Sequence, residues 1–464
     1  MSGAVLGLIV AGGVAMLLFL VMGLKLHAFV ALLVVSIIVA LLTDIPLANI
    51  ANVVEDGMGG TLGFVAVVVG LGAMFGEVLR STGGAERIAE TLVDRFGERR
   101  VPWALALTGL IVAIPVFFDV ALVLLIPLVY SLAQRYGRSV VYYGIPLLAG
   151  ISAGHSLIPP TPGPIAAAGV IGADLGWVIL FGLAASIPAV IVGGVFYGKW
   201  IGSRIEVGVP EEMAAEHGQR GSGSAGGDGG TDEDCEQDTR PRPSFLLVLT
   251  IILVPLVLIL LNTGSEALLP EGDTVREVLG FVGDPFVALI VAVLLAFYVL
   301  GLRYGQSRSD LQKVATKALE PVGMILLVTG AGGVFGEVLQ ESGVGDALED
   351  VLQATNVPVI LLAFGAALLL RVALGSATVA TVTAAAIVAP TIEGAEMSAP
   401  MLGAIVVAIS AGATMLSHVN DSGFWLVNRF LGLTEKQTLQ SWTVMQTILG
   451  LVSFGVVLAA TPFL

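Results

Sequence analysis

Runs of about twenty apolar residues follow one another along this chain, each the length a helix needs to cross a hydrocarbon layer. They are too many and too regularly spaced for a water-soluble core. Only 12% of the residues are charged against 56% hydrophobic, with a mean hydropathy of +0.95, whereas soluble domains carry roughly 25% charged residues. The alternation of an outer-membrane strand is absent, so the spans are helices. The expectation is an all-α polytopic membrane protein. The first apolar run, residues 1–22, lacks a basic leading segment and a small-residue cleavage site, and reads as a retained span rather than a signal peptide. A single cysteine, Cys235, excludes an intrachain disulfide. The net charge of −15 lies outside the spans and gives no reason to expect a nucleic-acid partner.

Spans are read at 3–24, 28–42 and 62–79, followed by an amphipathic segment at 85–96. A long apolar region at 101–132 contains Pro115, Asp119 and Pro127, and a second at 140–172 is interrupted by GHSLIPPTPGP at 154–164. A span at 177–197 closes the first half. Residues 202–243, rich in Gly, Ser, Asp and Glu, cannot bury enough apolar surface to fold and are expected to form a disordered acidic cytoplasmic linker. The second half runs through the same series: spans at 245–261, 285–302 and 322–339, a long apolar region at 357–390, an interrupted one at 401–433, and a last span at 442–464. Letters repeat as well as lengths. GAMFGEVL, beginning at Gly72, corresponds to GGVFGEVL, beginning at Gly332, and His155-Ser156 corresponds to Ser417-His418. The chain is thus expected to divide into a repeat at 1–201, the linker, and a second repeat at 244–464.

If 101–132 and 357–390 are re-entrant hairpins, each repeat crosses the membrane five times and the two are inverted relative to one another. The distribution of basic residues agrees. With both termini outside, all of the 21 Lys and Arg except Arg276 and Arg371 fall on the cytoplasmic side, as the positive-inside rule requires. Inverted repeats with interrupted helices are the architecture of secondary transporters, which bind their cargo near the midplane between the repeats.

Four polar islands lie at that depth. Polar and ionised groups in hydrocarbon cost free energy, so such islands persist around a cavity or a binding site. The first hairpin, IPVFFDVALVLLIP, supplies Asp119 as its lone acid, and the first break supplies His155, Ser156 and Thr161 beside prolines that withhold backbone donors. The second hairpin, RVALGSATVATVT, supplies Arg371, the turn residue Gly375, and the hydroxyls of Ser376, Thr378, Thr381 and Thr383. The second break, SHVNDSGFWL, supplies Ser417, His418, Asn420, Asp421 and Ser422. Hydroxyls, amides and helix N-termini suit a polyhydroxylated anion, and a guanidinium suits its carboxylate. Arg371 is a candidate for that carboxylate and equally for a counter-ion to Asp119 or Asp421. Asp119, Asp421 and His155 are the candidates for carrying a coupling proton, since surroundings can move such groups towards neutral pKa. Unwound carbonyls and hydroxyls also suit Na⁺, and the residues do not separate the two ions.

Blander roles compete with these. His155 and His418 can be packing residues, the Ser/Thr run interhelical glue, Glu77 and Glu337 interfacial, and Pro127 a kink. An intramembrane enzyme is disfavoured because HExxH pairs and cysteine ligands are absent. A channel suits two non-identical repeats with broken helices less well than alternating access does. No cofactor is expected beyond a coupling ion.

Taken as a set, GEVLRSTGGAERIA, IPVFFDVALVLLIPL, AGISAGHSLIPPTPGP, GAGGVFGEVLQESGVG, RVALGSATVATVTAA and SHVNDSGFWL resemble the gluconate permease (GntP) family of proton symporters. The likeness covers nearly the whole chain apart from the linker. It implies the ion-transporter fold, elevator-like, with a mobile domain carrying the hairpins past a fixed scaffold, in a homodimer. It also implies proton-driven import of gluconate or a similar small hydroxy acid across a bacterial cytoplasmic (inner) membrane. The family extends to D-serine permeases, so D-serine, lactate and other small carboxylates stay open as cargo. The linker is longer than the family leads one to expect.

Overall fold

The computed structural model describes residues 3–43, 45–210, 243–342, 358–393, 397–419 and 421–464. Among these residues every regular element is a helix, and eight of the helices are long and apolar enough to cross a membrane. The protein is an all-α polytopic membrane protein. Its first half comprises α1 (Gly3–Leu18), α2 (Ala28–Leu42), α3 (Ile50–Ser81), α4 (Gly84–Phe96), α5 (Val101–Ala113), α6 (Phe118–Tyr136), α7 (Val140–Leu157), α8 (Pro162–Ile171) and α9 (Leu175–Gly202). The second half comprises α10 (Phe245–Leu268), α11 (Thr274–Gly283), α12 (Pro285–Tyr304), α13 (Arg308–Ala318) and α14 (Glu320–Glu341). It continues with α15 (Val359–Leu374), α16 (Ala377–Glu393), α17 (Ala399–Thr414), α18 (Ser422–Phe430) and α19 (Glu435–Phe463).

Most of the expected linker, 211–242, lies outside the described residues. Its first residues belong to the folded body: Ser139 Oγ donates to the Ile205 carbonyl at 2.7 Å, and Val140 N–H donates to the Val207 carbonyl at 3.0 Å. Two short helices fall where the apolar pattern gives no span. Both are set by their caps rather than by hydropathy. Asp273 accepts from Val275 N–H at the start of α11, and Ser307 with Asp310 closes a capping box at the start of α13. The span expected at 62–79 is the apolar end of a longer helix, because Glu55 and Asp56 are polar without being helix breakers.

Both long apolar regions fold as helical hairpins. At 1.5 Å per residue the 13 residues of α5 reach about 20 Å, short of the roughly 30 Å hydrocarbon layer. The chain turns at 114–117 and returns as α6. In the second hairpin α15 ends at Gly375, whose φ of 75° is a left-handed conformation that glycine adopts without steric cost. Each hairpin is followed by an interrupted helix: α7 and α8 flank residues 158–161, and α17 and α18 flank 415–421. Prolines 159, 160 and 162 lack the amide hydrogens needed to continue α7. A polar run replaces them in the second break.

Glycine lets these elements approach backbone to backbone. A methyl group on Gly150 of α7 would lie 2.1 Å from the Ala106 carbonyl oxygen of α5, and one on Gly109 of α5 would lie 2.3 Å from that of Leu147. The second hairpin sits on its own broken helix in the same way, Gly412 of α17 lying against the Phe364 carbonyl of α15. The related segments at Gly72 and Gly332 place Phe75 and Phe335 in the core, on α3 and α14, which pack together through Gly57 and Gly333. Around this centre the outer helices present apolar side chains outward. Leu246, Leu253, Val257 and Leu261 form one exposed face of α10, while Val248, Ile252, Leu256 and Ile259 form its buried face. In water that stripe would be a liability; in a bilayer it faces the lipid.

Candidate functional site

The tips of both hairpins, the C-terminal end of α7 and the second break line one cavity of about 170 Å³. Three helices begin at it. Phe118 and Asp119 open α6, Ala377 and Thr378 open α16, and Ser422 and Gly423 open α18, and all six residues line the wall. The first N–H groups of a helix have no partner within it and carry the positive end of its dipole. The chain needs the hairpin turns and the second break to aim three such ends at one point. His155 and Ser156, at the C-terminal end of α7, supply a wall of opposite polarity.

The charges are arranged with equal definition. Arg371 is 3% exposed at the end of α15. Its guanidinium donates to a carboxylate oxygen of Asp421 and to the Gly375 carbonyl. The same Asp421 oxygen accepts from Ser417 Oγ, which in turn accepts from the Trp442 indole N–H at 2.6 Å. The second oxygen caps α18, accepting from Gly423 N–H at 3.0 Å. Arg371 therefore ties the second hairpin to the second break as half of a matched ion pair. Asp119 forms no ion pair among the described residues, although it shares that wall with Arg371 and Asp421. A larger cavity of about 430 Å³ meets the first hairpin at Asp119 and runs between α3 and the start of α14, past Arg80, Glu77, Lys317 and Glu320. Glu77 accepts from Arg80 Nε at 2.8 Å there, at the end of its span.

His155, Ser156, Arg371, Ser376, Thr378, Asp421, Ser422 and Asp119 are brought together as cavity walls. Other candidates are placed elsewhere. Thr161 is buried, and its hydroxyl donates to the Ile158 carbonyl at 2.7 Å, holding the unwound turn. Gly375 makes the hairpin turn and offers its carbonyl to Arg371, and Ser417 supports Asp421 from behind. His418 turns away: its Nε2 lies 3.0 Å from the Val372 carbonyl, an acceptor, so that nitrogen carries the hydrogen. Thr381 bonds the Ala377 carbonyl of its own helix at 2.8 Å. Asn420 lies outside the described residues.

Ser152, Trp442 and Gln446 also line the cavity and are not among the sequence candidates. Gln446 had a signal, as a lone amide inside the apolar run of α19. Trp442 had none, since an aromatic residue near a span end is ordinary. Among the described residues no group of three or more His, Cys, Asp or Glu is placed to hold a metal ion.

Residues 5–462 match the GntP family permease profile. The low-affinity gluconate transporter of Escherichia coli (strain K12) is 43% identical over 452 residues, 97% of each chain. The gluconate permease of Pseudomonas aeruginosa is 38% identical, covering 95% of this chain and 94% of its own. The Gnt-II system L-idonate transporter of Escherichia coli (strain K12) is 36% identical, covering 98% and 99%. Among solved structures, the Alcanivorax borkumensis YdaH transporter, described as having an unusual topology, superposes with a TM-score of 0.61 at 16% identity, covering 94% of this chain and 97% of that one. At that identity the likeness concerns the fold alone.

Proposed function

Since this chain belongs to the GntP family of permeases, a family of transporters and not of enzymes, we propose that it imports gluconate or a stereoisomeric sugar acid by proton symport. The observation that carries the reading is the charge balance of the 170 Å³ cavity. Arg371 is matched by Asp421, so a negatively charged cargo gains no free cation from the pair. Its carboxylate is held instead by the three helix N-termini and the hydroxyls of Ser376, Thr378 and Ser422. Asp119 then decides whether binding is tolerable. Ionised, it would face the incoming carboxylate across a poorly screened space; protonated, it offers a hydrogen-bond donor. Cargo and proton therefore enter together. His155 stands at the same wall as a second place for the proton.

The sequence repeats, read as inverted, supply two states of one architecture. In this reading the hairpins and broken helices carry the cavity across the membrane, and the larger cavity at Asp119 is its opening to one side. The protein acts as a homodimer in the bacterial inner membrane, with both termini outside.

The test is uptake of labelled gluconate into proteoliposomes with an imposed pH gradient and no sodium. Accumulation that collapses with a protonophore supports the symporter. Accumulation that appears only with sodium overturns the proton, and transport of D-serine or lactate in place of gluconate overturns the cargo.

A further inference from the structure

The geometry points to Gln446 as the residue that selects a polyhydroxylated acid over a plain short carboxylate, by hydrogen-bonding a cargo hydroxyl through its side-chain amide. This inference rests on the sugar-acid reading and names the contact behind it. Gln446 projects from α19, an element outside the two hairpins and two breaks that supply the charged groups, and it lines the same cavity as Arg371, Asp119 and Thr378. It is 5% exposed, and its Oε1 is fully enclosed with no hydrogen-bond partner among the described residues. An amide buried in an apolar helix and left unpaired is costly unless something else completes its bonding.

The position is built rather than incidental. The turn Leu439–Thr443, just before it, is π-helical, a local widening frequent at functional sites. Trp442 within that turn is fixed by its N–H to Ser417 and packs on Phe118 with ring centroids 5.4 Å apart. This anchors the last helix at once to the second break and to the tip of the first hairpin.

The chemistry of an amide fits one kind of cargo group. A carboxylate accepts only, and the helix N-termini already offer it donors. A hydroxyl both donates and accepts, and an amide answers both roles at one site. A cargo without hydroxyls would leave the Gln446 oxygen buried and unpaired, which is how a polar site rejects an apolar analogue.

The experiment measures wild type and Gln446→Met, an unbranched apolar replacement of similar length, in proteoliposomes. Labelled gluconate uptake is competed with a panel of gluconates each lacking one hydroxyl. The expected result is that wild type binds one deoxy analogue roughly tenfold or more weakly than gluconate. The Met variant should bind gluconate as weakly as that analogue, and the analogue no worse than wild type does. Equal weakening towards gluconate and every analogue would mean a structural role only and overturn the inference, as would unchanged affinity for gluconate. If the Met variant does not reach the membrane, Gln446→Asn is read on the same panel. Its shortened amide should narrow the discrimination at that same hydroxyl, and an unaltered pattern would overturn the proposal. Absence of gluconate uptake by wild type would overturn the sugar-acid reading and this one with it. Normal wild-type uptake with an indifferent variant removes this one alone.

Discussion

Arg371 and Asp421 show how a residue's neighbours fix its role. A lone arginine in an apolar hairpin reads equally as a hand for the cargo carboxylate or as a counter-ion. Burial beside Asp421 and the Gly375 carbonyl makes it a brace between hairpin and break. Removing one partner strands a charge in a low-dielectric interior, at a cost of about 3–5 kcal/mol, whereas removing both charges is far milder. Arg371→Gln should therefore lower thermal stability in detergent, and adding Asp421→Asn should restore most of it. Failure of the double variant to recover would mean that the pair is not the source of the loss. Asp119 is the opposite case, an acid of the same wall that forms no ion pair among the described residues. Asp119→Asn should end accumulation driven by a pH gradient while sparing gluconate exchange across the membrane. Retained pH-driven accumulation would take the coupling proton away from this residue.

At the scale of elements, the hairpins depend on glycine. Gly76 of α3 sits against the first hairpin so closely that a methyl there would lie 1.9 Å from the Pro115 carbonyl oxygen, while Gly63, on the same helix, has nothing within 4 Å. Gly76→Val should cost about 1–3 kcal/mol by overpacking and remove most of the transport. Gly63→Val serves as the control and should leave both nearly unchanged. Thermal unfolding and uptake measured on the two variants check this; equal effects would mean that the hairpin seat is not what matters. The hairpins and breaks were legible beforehand because Pro, Gly and polar residues stand out against an apolar background. The helices α11 and α13 were not, since each is short and amphipathic and is defined by its capping side chains, Asp273 for α11 and Ser307 with Asp310 for α13. Hydropathy does not see that.

For the whole molecule, the distribution of Lys and Arg makes a claim about sidedness that can be measured directly. Cys235 is the only cysteine, so a Cys235→Ser background is free of thiols. A cysteine placed at Glu271, in the loop before α11, should react with a membrane-impermeant reagent applied to intact cells. One at Lys313 of α13 should react only after permeabilisation. Reversed labelling would turn the topology over, and labelling of both from one side would remove the span α12 between them.

The sequence by itself determined the membrane class, the family, the order of spans, and which four stretches are irregular at membrane depth. These properties depend on composition and on local backbone chemistry, and neighbours in the chain are enough to set them. Only the tertiary structure decided which polar groups share a cavity and which do not. It put Gln446 of the last helix in the same cavity wall as Asp119 of the first hairpin. It gave Arg371 to Asp421, sent His418 to a backbone carbonyl, and left Thr161 holding a turn. Each of those outcomes depends on the direction of a side chain and on what a distant helix brings to meet it. A polar letter in an apolar run shows that a partner is needed, and only the packed fold shows which one is there.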